Sequence, residues 1–144
     1  MSSHQLRLWD ALLPAAQGLL AKNGEFLPLA AKIDTDGALT HCMAHEEGKE
    51  WSLSMTLVQI LREEFSKEAV EKRIVASAIA YDCRVQLDEN STGDAIMFDL
   101  EDPASGRLFV FVPYDKLGKK IIYRQAKVAL SSLDIFSSEI PHLH

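Results

Sequence analysis

Four charged residues stand inside a strongly apolar stretch: "IVASAIAYDCRVQLDENSTGDAIMFDLED", residues 74–102, sets Asp82, Arg84, Asp99 and Glu101 among Ile, Val, Ala and Phe. Carboxylates brought together across two paired strands can hold a divalent cation through hard oxygen ligands, or exchange protons with a substrate, and an arginine beside them keeps one ionised. That chemistry requires the two flanking strands to pair as a hairpin with the charges on one face. A plainer reading is that opposite charges pair across the solvated face of an antiparallel sheet, where each pair contributes a few tenths to about 1 kcal/mol. The chain has no nucleophile motif, glycine-rich phosphate loop or HExxH pair to accompany a carboxylate site. The wet face is therefore the favoured expectation.

A second group, His41, Cys42 and His45 followed by Glu46 and Glu47, has the ligand types and short spacing of a zinc site. A closed site needs a fourth ligand from another CxxC or HxxxH element, and the chain has none. On a strand, His41 and Cys42 also point to opposite faces. His142 and His144 belong to a terminal tail, and Tyr114, next to Pro113, reads as a packed aromatic at a strand end rather than a catalytic phenol. No metal, cofactor or catalytic residue is implied. Cys42 and Cys83 fit no CxxC pattern, and their spacing predicts two unbonded thiols in a reducing, cytoplasmic setting.

Charge narrows the partners. The net charge of -6 disfavours nucleic acid. Residues 82–102 carry seven acids against Arg84 alone, whereas residues 107–127 carry six bases against Asp115 alone, so an acidic hairpin precedes a basic segment. The Leu- and Ala-rich start, "MSSHQLRLWDALLPAAQGLLAKNG", is interrupted by Asp10 and Gln17 and has no clear cleavage motif, so it reads as a helix rather than a signal peptide. No other stretch approaches the ~20 apolar residues of a membrane span.

Elements must position these groups. Leu6, Trp9, Leu13, Ala16 and Leu20 recur at helical spacing over residues 4–23, with Ser3 to cap the start, Asn23-Gly24 to stop it and Pro14 to kink or split it. "EFLPLAAKI" and "ALTHCM" flank Asp36-Gly37, a hairpin turn signal, with Pro28 the weak point of the first strand. From Ser54, the stripe Leu57, Ile60, Leu61, Phe65 and Ala69 predicts a second helix with a charged outer face. Strands follow at 74–87, 95–101 and 107–113. The last, "RLFVFVP", is apolar on both faces and belongs in the sheet interior. Beyond it, "KKIIYRQAKVALSSL" fits either a short helix or, in its first part, a strand. With 144 residues and no linker or repeat, the chain reads as one α+β domain over residues 1–144. The predicted core is Ile79, Val85, Phe98, Leu108, Val110 and Val112, with Leu57, Leu61 and Phe65 covering one sheet face.

This element order is similar to that of the profilin-like and roadblock folds, which implies a five-stranded antiparallel sheet of order 2-1-5-4-3 with two or three helices. It carries no function with it. The segments "IAYDCRV", "DAIMFDLED" and "FVPY" also resemble those of a group of small uncharacterised bacterial proteins of similar length, over about residues 26–123. That resemblance implies a bacterial single-domain chain and no particular activity.

The functional expectation is a non-enzymatic protein-interaction domain that forms a homodimer or binds another protein partner. Its surface would be an apolar patch of Phe109, Phe111, Met97 and Ala80, rimmed by Asp82, Arg84 and Asp99. The main alternative is a small-molecule or divalent-cation binder, or an enzyme, built on Asp82, Arg84, Asp99 and Glu101. A further alternative is an immunity-type inhibitor whose acidic hairpin imitates phosphates for a basic partner.

Overall fold

The computed structural model describes residues 1–43 and 54–136. It is an α+β fold with one open antiparallel sheet of seven strands and two helices, in the order α1 (Ser3–Asn23), β1 (Leu29–Asp34), β2 (Leu39–Met43), α2 (Ser54–Val70), β3 (Ile74–Asp88), β4 (Ser91–Asp102), β5 (Gly106–Leu117), β6 (Lys120–Tyr123), β7 (Lys127–Ser131). The two helices and the five expected strands are present, and β6 and β7 correct the expected five strands to seven. His45, Glu46, Glu47, His142 and His144 lie outside the described residues.

Helix α1 runs unbroken through Pro14 rather than splitting there. Its N-cap is Ser2, one residue before the expected Ser3. The Ser2 hydroxyl accepts the Gln5 N–H at 3.0 Å and the Gln5 side chain accepts the Ser2 N–H at 2.9 Å, a reciprocal box that satisfies two otherwise orphaned donors. Gly24 ends the helix at φ 76°, a conformation that suits glycine, and donates to the Leu20 carbonyl. The buried row is Gln5, Leu8, Leu12, Ala16 and Leu20, so Leu6, Trp9 and Leu13 are turned off the expected centre. Leu and Ala occupy nearly every side of this helix, which leaves its rotational phase to tertiary packing.

The strand order is β2-β1-β3-β4-β5-β6, with β7 also paired to β5. This corrects the 2-1-5-4-3 expectation: β3, not β5, lies beside β1. The reason is visible in burial. From Ala76 to Tyr81 every β3 residue is buried, as a strand covered on both faces must be, and Ala76, Ala78 and Ala80 present small side chains on which α1 can sit closely. Strand β5 is interior in a narrower sense, flanked by β4 on one side and by β6 and β7 on the other. The segment after it is a pair of strands, not a helix. Between Phe111↔Lys127 and Tyr114↔Tyr123 one strand advances three residues and the other four, a bulge beside Pro113, whose carbonyl accepts the Arg124 N–H at 2.7 Å.

The helices cover opposite faces of the sheet. Helix α1 packs on Ala78, Ala80, Ile96, Phe98, Leu100, Val110 and Val112. Helix α2 packs Val58, Leu61, Phe65 and Ala69 on Ala30, Ile79, Tyr81 and Met97, joined by Ile135 and Phe136 from the turn after β7. Of the predicted core, Ile79, Phe98, Val110 and Val112 are buried, while Val85 and Leu108 are only half-buried.

Cys42 and Cys83 are unbonded, and both pack at the margin of the α2-side core. Their strands are two apart in the sheet, closer than 2-1-5-4-3 implied. Two inter-strand spacings of ~4.8 Å still exceed the ~7 Å that a disulfide tolerates between Cα atoms. Labelling under denaturing, non-reducing conditions is expected to find two free thiols per chain, and a count of zero contradicts this arrangement.

Candidate functional site

The β3–β4 hairpin forms as the carboxylate hypothesis required, but its register separates the four charges. Ile79 lies opposite Asp99, and Asp82 opposite Ile96. Since facing residues share a side, Asp82 and Arg84 point to the α1 side, and Asp99 and Glu101 to the α2 side. One cation or one substrate cannot meet all four. The expected wet face is also corrected: Asp99 is 3% and Glu101 1% exposed, because α2 and the turn at 134–136 cover them.

Asp99 sits between two guanidiniums. Arg107 reaches it bidentately, Nε to Oδ1 at 2.9 Å and Nη2 to Oδ2 at 2.8 Å, and Arg62 of α2 donates to the same Oδ2. The fork geometry gives two parallel charge-assisted bonds, and the carboxylate holds Arg107 more firmly protonated than usual. Arg107 also lies 4.7 Å over the Phe109 ring. Glu101 accepts the backbone N–H groups of Asp134, Ile135 and Phe136, so one carboxylate organises the turn that places two apolar side chains under α2. Asp134 then returns to Arg62 at 3.1 Å. This is a mutually satisfied network, buried except at Asp134, whose members hold β4, β5, α2 and the turn at 134–136 together. Sequence reasoning missed Arg62, Arg107 and Asp134, which no local spacing links to Asp99.

On the opposite face, the Tyr114 phenol donates to Asp82 Oδ1 at 2.6 Å. Tyr114 is buried, as a packed aromatic should be, and burial together with the adjacent carboxylate raises its pKa. Arg84 is exposed and pairs with Asp94 at 3.2 Å and with Thr92 near the hairpin tip. His41 and Cys42 lie opposite Ala31 and Ala30 on different faces, as expected, and no group of three metal-ligating side chains occurs among the described residues.

Burial raises the carboxyl pKa of both Asp82 and Glu101, in each case against hydrogen bonds that favour the ionised form. A carboxyl whose pKa is higher folded than unfolded favours folding most below the unfolded value, near pH 4. That contribution fades as pH rises through the folded value. Urea unfolding across this window is therefore expected to give a smaller fall in stability with rising pH for Asp82→Asn and Glu101→Gln than for the wild type. Parallel curves would contradict the assigned environments.

The apolar side chains make a different feature. Val85, Gln86 and Leu87 of β3, Phe111 and Pro113 of β5, and Lys127, Val128 and Ala129 of β7 line an open, mainly apolar hollow of about 230 Å³. Strands β4 and β5 separate β3 from β7 in the sheet, so the sheet must coil for these residues to meet. Leu87 lies over Gly93, which is opposite Val85: a Cβ at Gly93 would stand 2.7 Å from a Leu87 methyl. Phe109 and Phe111 are half-buried beside this region and Met97 is buried, whereas Ala80 is fully buried beneath α1 on the other face and cannot join their patch. A second hollow of about 380 Å³ lies between the end of α1 and the β5–β6 turn, rimmed by Lys22, Lys116 and Lys119. These lysines complement the carbonyl end of the α1 dipole.

No family model matches the chain, and no curated protein or solved structure matches it. No helix among the described residues is long and apolar enough to cross a membrane.

Proposed function

We propose that the chain is a protein-binding module without catalytic activity of its own, and that its partner is engaged at the Val85, Leu87, Phe111 hollow. The observation that carries this reading is the hollow itself: open, formed by three strands and lined by six apolar residues beside Gln86 and Lys127. At about 230 Å³ it falls below the ~300–1,000 Å³ of small-molecule sites, and it suits one apolar side chain of a partner better than a metabolite. The charge distribution agrees. Asp99, Glu101, Arg62 and Arg107 are committed to one another and to backbone, and Asp82 to Tyr114. Of the seven acids in 82–102, Asp99, Glu101 and Asp102 are buried, which leaves no continuous array to imitate phosphates.

The test is selection of binders from a random peptide display library. Selected peptides are expected to share one apolar anchor and to lose binding to Leu87→Glu. Binding unaffected by Leu87→Glu would place the contact elsewhere. A metal or metabolite that raises the melting temperature and keeps that effect in Leu87→Glu would favour the small-molecule alternative.

A further inference from the structure

The hollow ends at β7, and β7 is the most exposed strand of the sheet. All five of its residues are exposed, Val128 at 61% and Leu130 at 82%, and among the described residues it pairs only with β5. Its outer edge has neither proline nor bulge, and Lys127 is its only charge. It thus lacks most of the devices that keep sheet edges from pairing. The opposite edge, β2, is different: His41 is its central residue, and self-pairing about the strand's centre would set His41 against His41.

We infer that the partner of this edge is a second copy of the chain, joined β7 to β7 in antiparallel fashion about a two-fold axis through Ala129. The inference goes beyond the peptide-binding reading of the hollow and concerns the sheet edge beside it. "KVALS" complements itself in this register. Val128 faces Leu130 of the second copy, and Leu130 faces its Val128. These four side chains all lie on the α1 side, since Val128 and Leu130 are opposite Val110 and Leu108. Ala129 faces Ala129 on the α2 side, next to both hollows, where a small side chain allows close approach.

Charge agrees with the same register. Lys127 faces Ser131 of the second copy, and the two Lys127 residues are offset by four positions, ~14 Å at ~3.4 Å per residue, beyond a physiological Debye length of ~8 Å. Each Lys127 meets the end of β7 that leads to Asp134, whose carboxylate is half exposed. The cluster there has three carboxylates (Asp99, Glu101, Asp134) against two guanidiniums (Arg62, Arg107), an excess of one negative charge for the incoming lysine. One five-residue strand from each copy is less than a standard interface, so the dimer is expected to dissociate on the order of micromolar concentration.

The register is testable by single cysteines in the full chain. Facing Cα atoms of an antiparallel pair are ~4.5 or ~5.5 Å apart, and both values fall within disulfide range. Ala129→Cys is therefore expected to cross-link into a dimer under mild oxidation, well above the wild type with its two native thiols. Lys127→Cys and Ser131→Cys, each ~14 Å from its own mate, should not. Leu130→Lys is expected to weaken the dimer at least about tenfold in sedimentation equilibrium with an unchanged circular dichroism spectrum. A dimer that cross-links no better at 129 than at 127 or 131 would overturn the β7 pairing while leaving the peptide-binding reading intact. A monomer at 100-fold above micromolar concentration (~100 µM) with no cross-link at 129 would overturn the second copy as partner. Loss of peptide binding in Leu87→Glu is read separately and bears only on the hollow.

Discussion

Phe98→Ala is expected to destabilise the chain by ~3–5 kcal/mol, a large part of the ~5–15 kcal/mol that holds a domain folded. Phe98 is fully buried on β4 between Ala80 of β3 and Val110 of β5, and its ring meets Trp9 of α1 edge-on with centroids 4.7 Å apart. The cost has two sources. The ring's transfer from water is lost, and the cavity left behind cannot collapse readily, because the residues beside it are backbone-anchored strand positions and small alanines. The edge-on aromatic contact adds roughly 0.5–1.5 kcal/mol to what area alone would give. Phe98→Leu, which keeps most of the volume, should cost clearly less. Urea midpoints for the two variants decide the matter. Equal and small losses would mean that Phe98 does not lie under α1.

The helices, the two hairpins and the turn at Asp36-Gly37 were legible in the sequence because each is dictated by neighbours a few residues away. Helical spacing marks α2, and Gly37 and Gly106 take the positive φ their turns require. The faces were not legible, and the reason lies at one turn. Ser91, Thr92 and Asp94 look like loop residues by composition, yet β4 starts at Ser91, directly after a tight turn at Glu89-Asn90. Polar strand residues are tolerated there because that end of the hairpin is solvated. A one-residue change in register would exchange the faces of every β4 side chain, so no reading of β3 and β4 taken separately could decide whether Asp82 and Asp99 share a side. The strand order was hidden for a similar reason. Which strand lies beside β1 depends on α2 crossing the sheet, a long-range event on which the patterns of β3 and β5 bear only weakly. The pairing of Asp99 with Arg62 and Arg107 follows from both, which is why the apolar surroundings of Asp99 suggested a wet face when they reported a buried one.

Asp99→Ala is expected to cost ~3–5 kcal/mol, comparable with Phe98→Ala from the neighbouring residue on the opposite face, but by different physics. Removing the carboxylate leaves Arg107, which is buried, without its counter-ion and Arg62, which is largely buried, with only the half-exposed Asp134, and the low-dielectric surroundings make two adjacent cations expensive. The loss should therefore be relieved by removing the cations as well. In a triple variant with Asp99→Leu, Arg62→Leu and Arg107→Met, apolar side chains of similar volume replace the network. Its stability is expected to recover most of the loss, since a buried ion network often contributes little more than well-packed hydrophobic residues do. Two features limit the recovery: Arg62 also holds Asp134, and Arg107 stacks on Phe109. If Asp99→Ala is instead nearly neutral, Arg62 and Arg107 must reach solvent when unpaired, and the cluster is a surface feature. If the triple variant is as unstable as the single one, the lost free energy lies in the fit of the triad rather than in its unpaired charges.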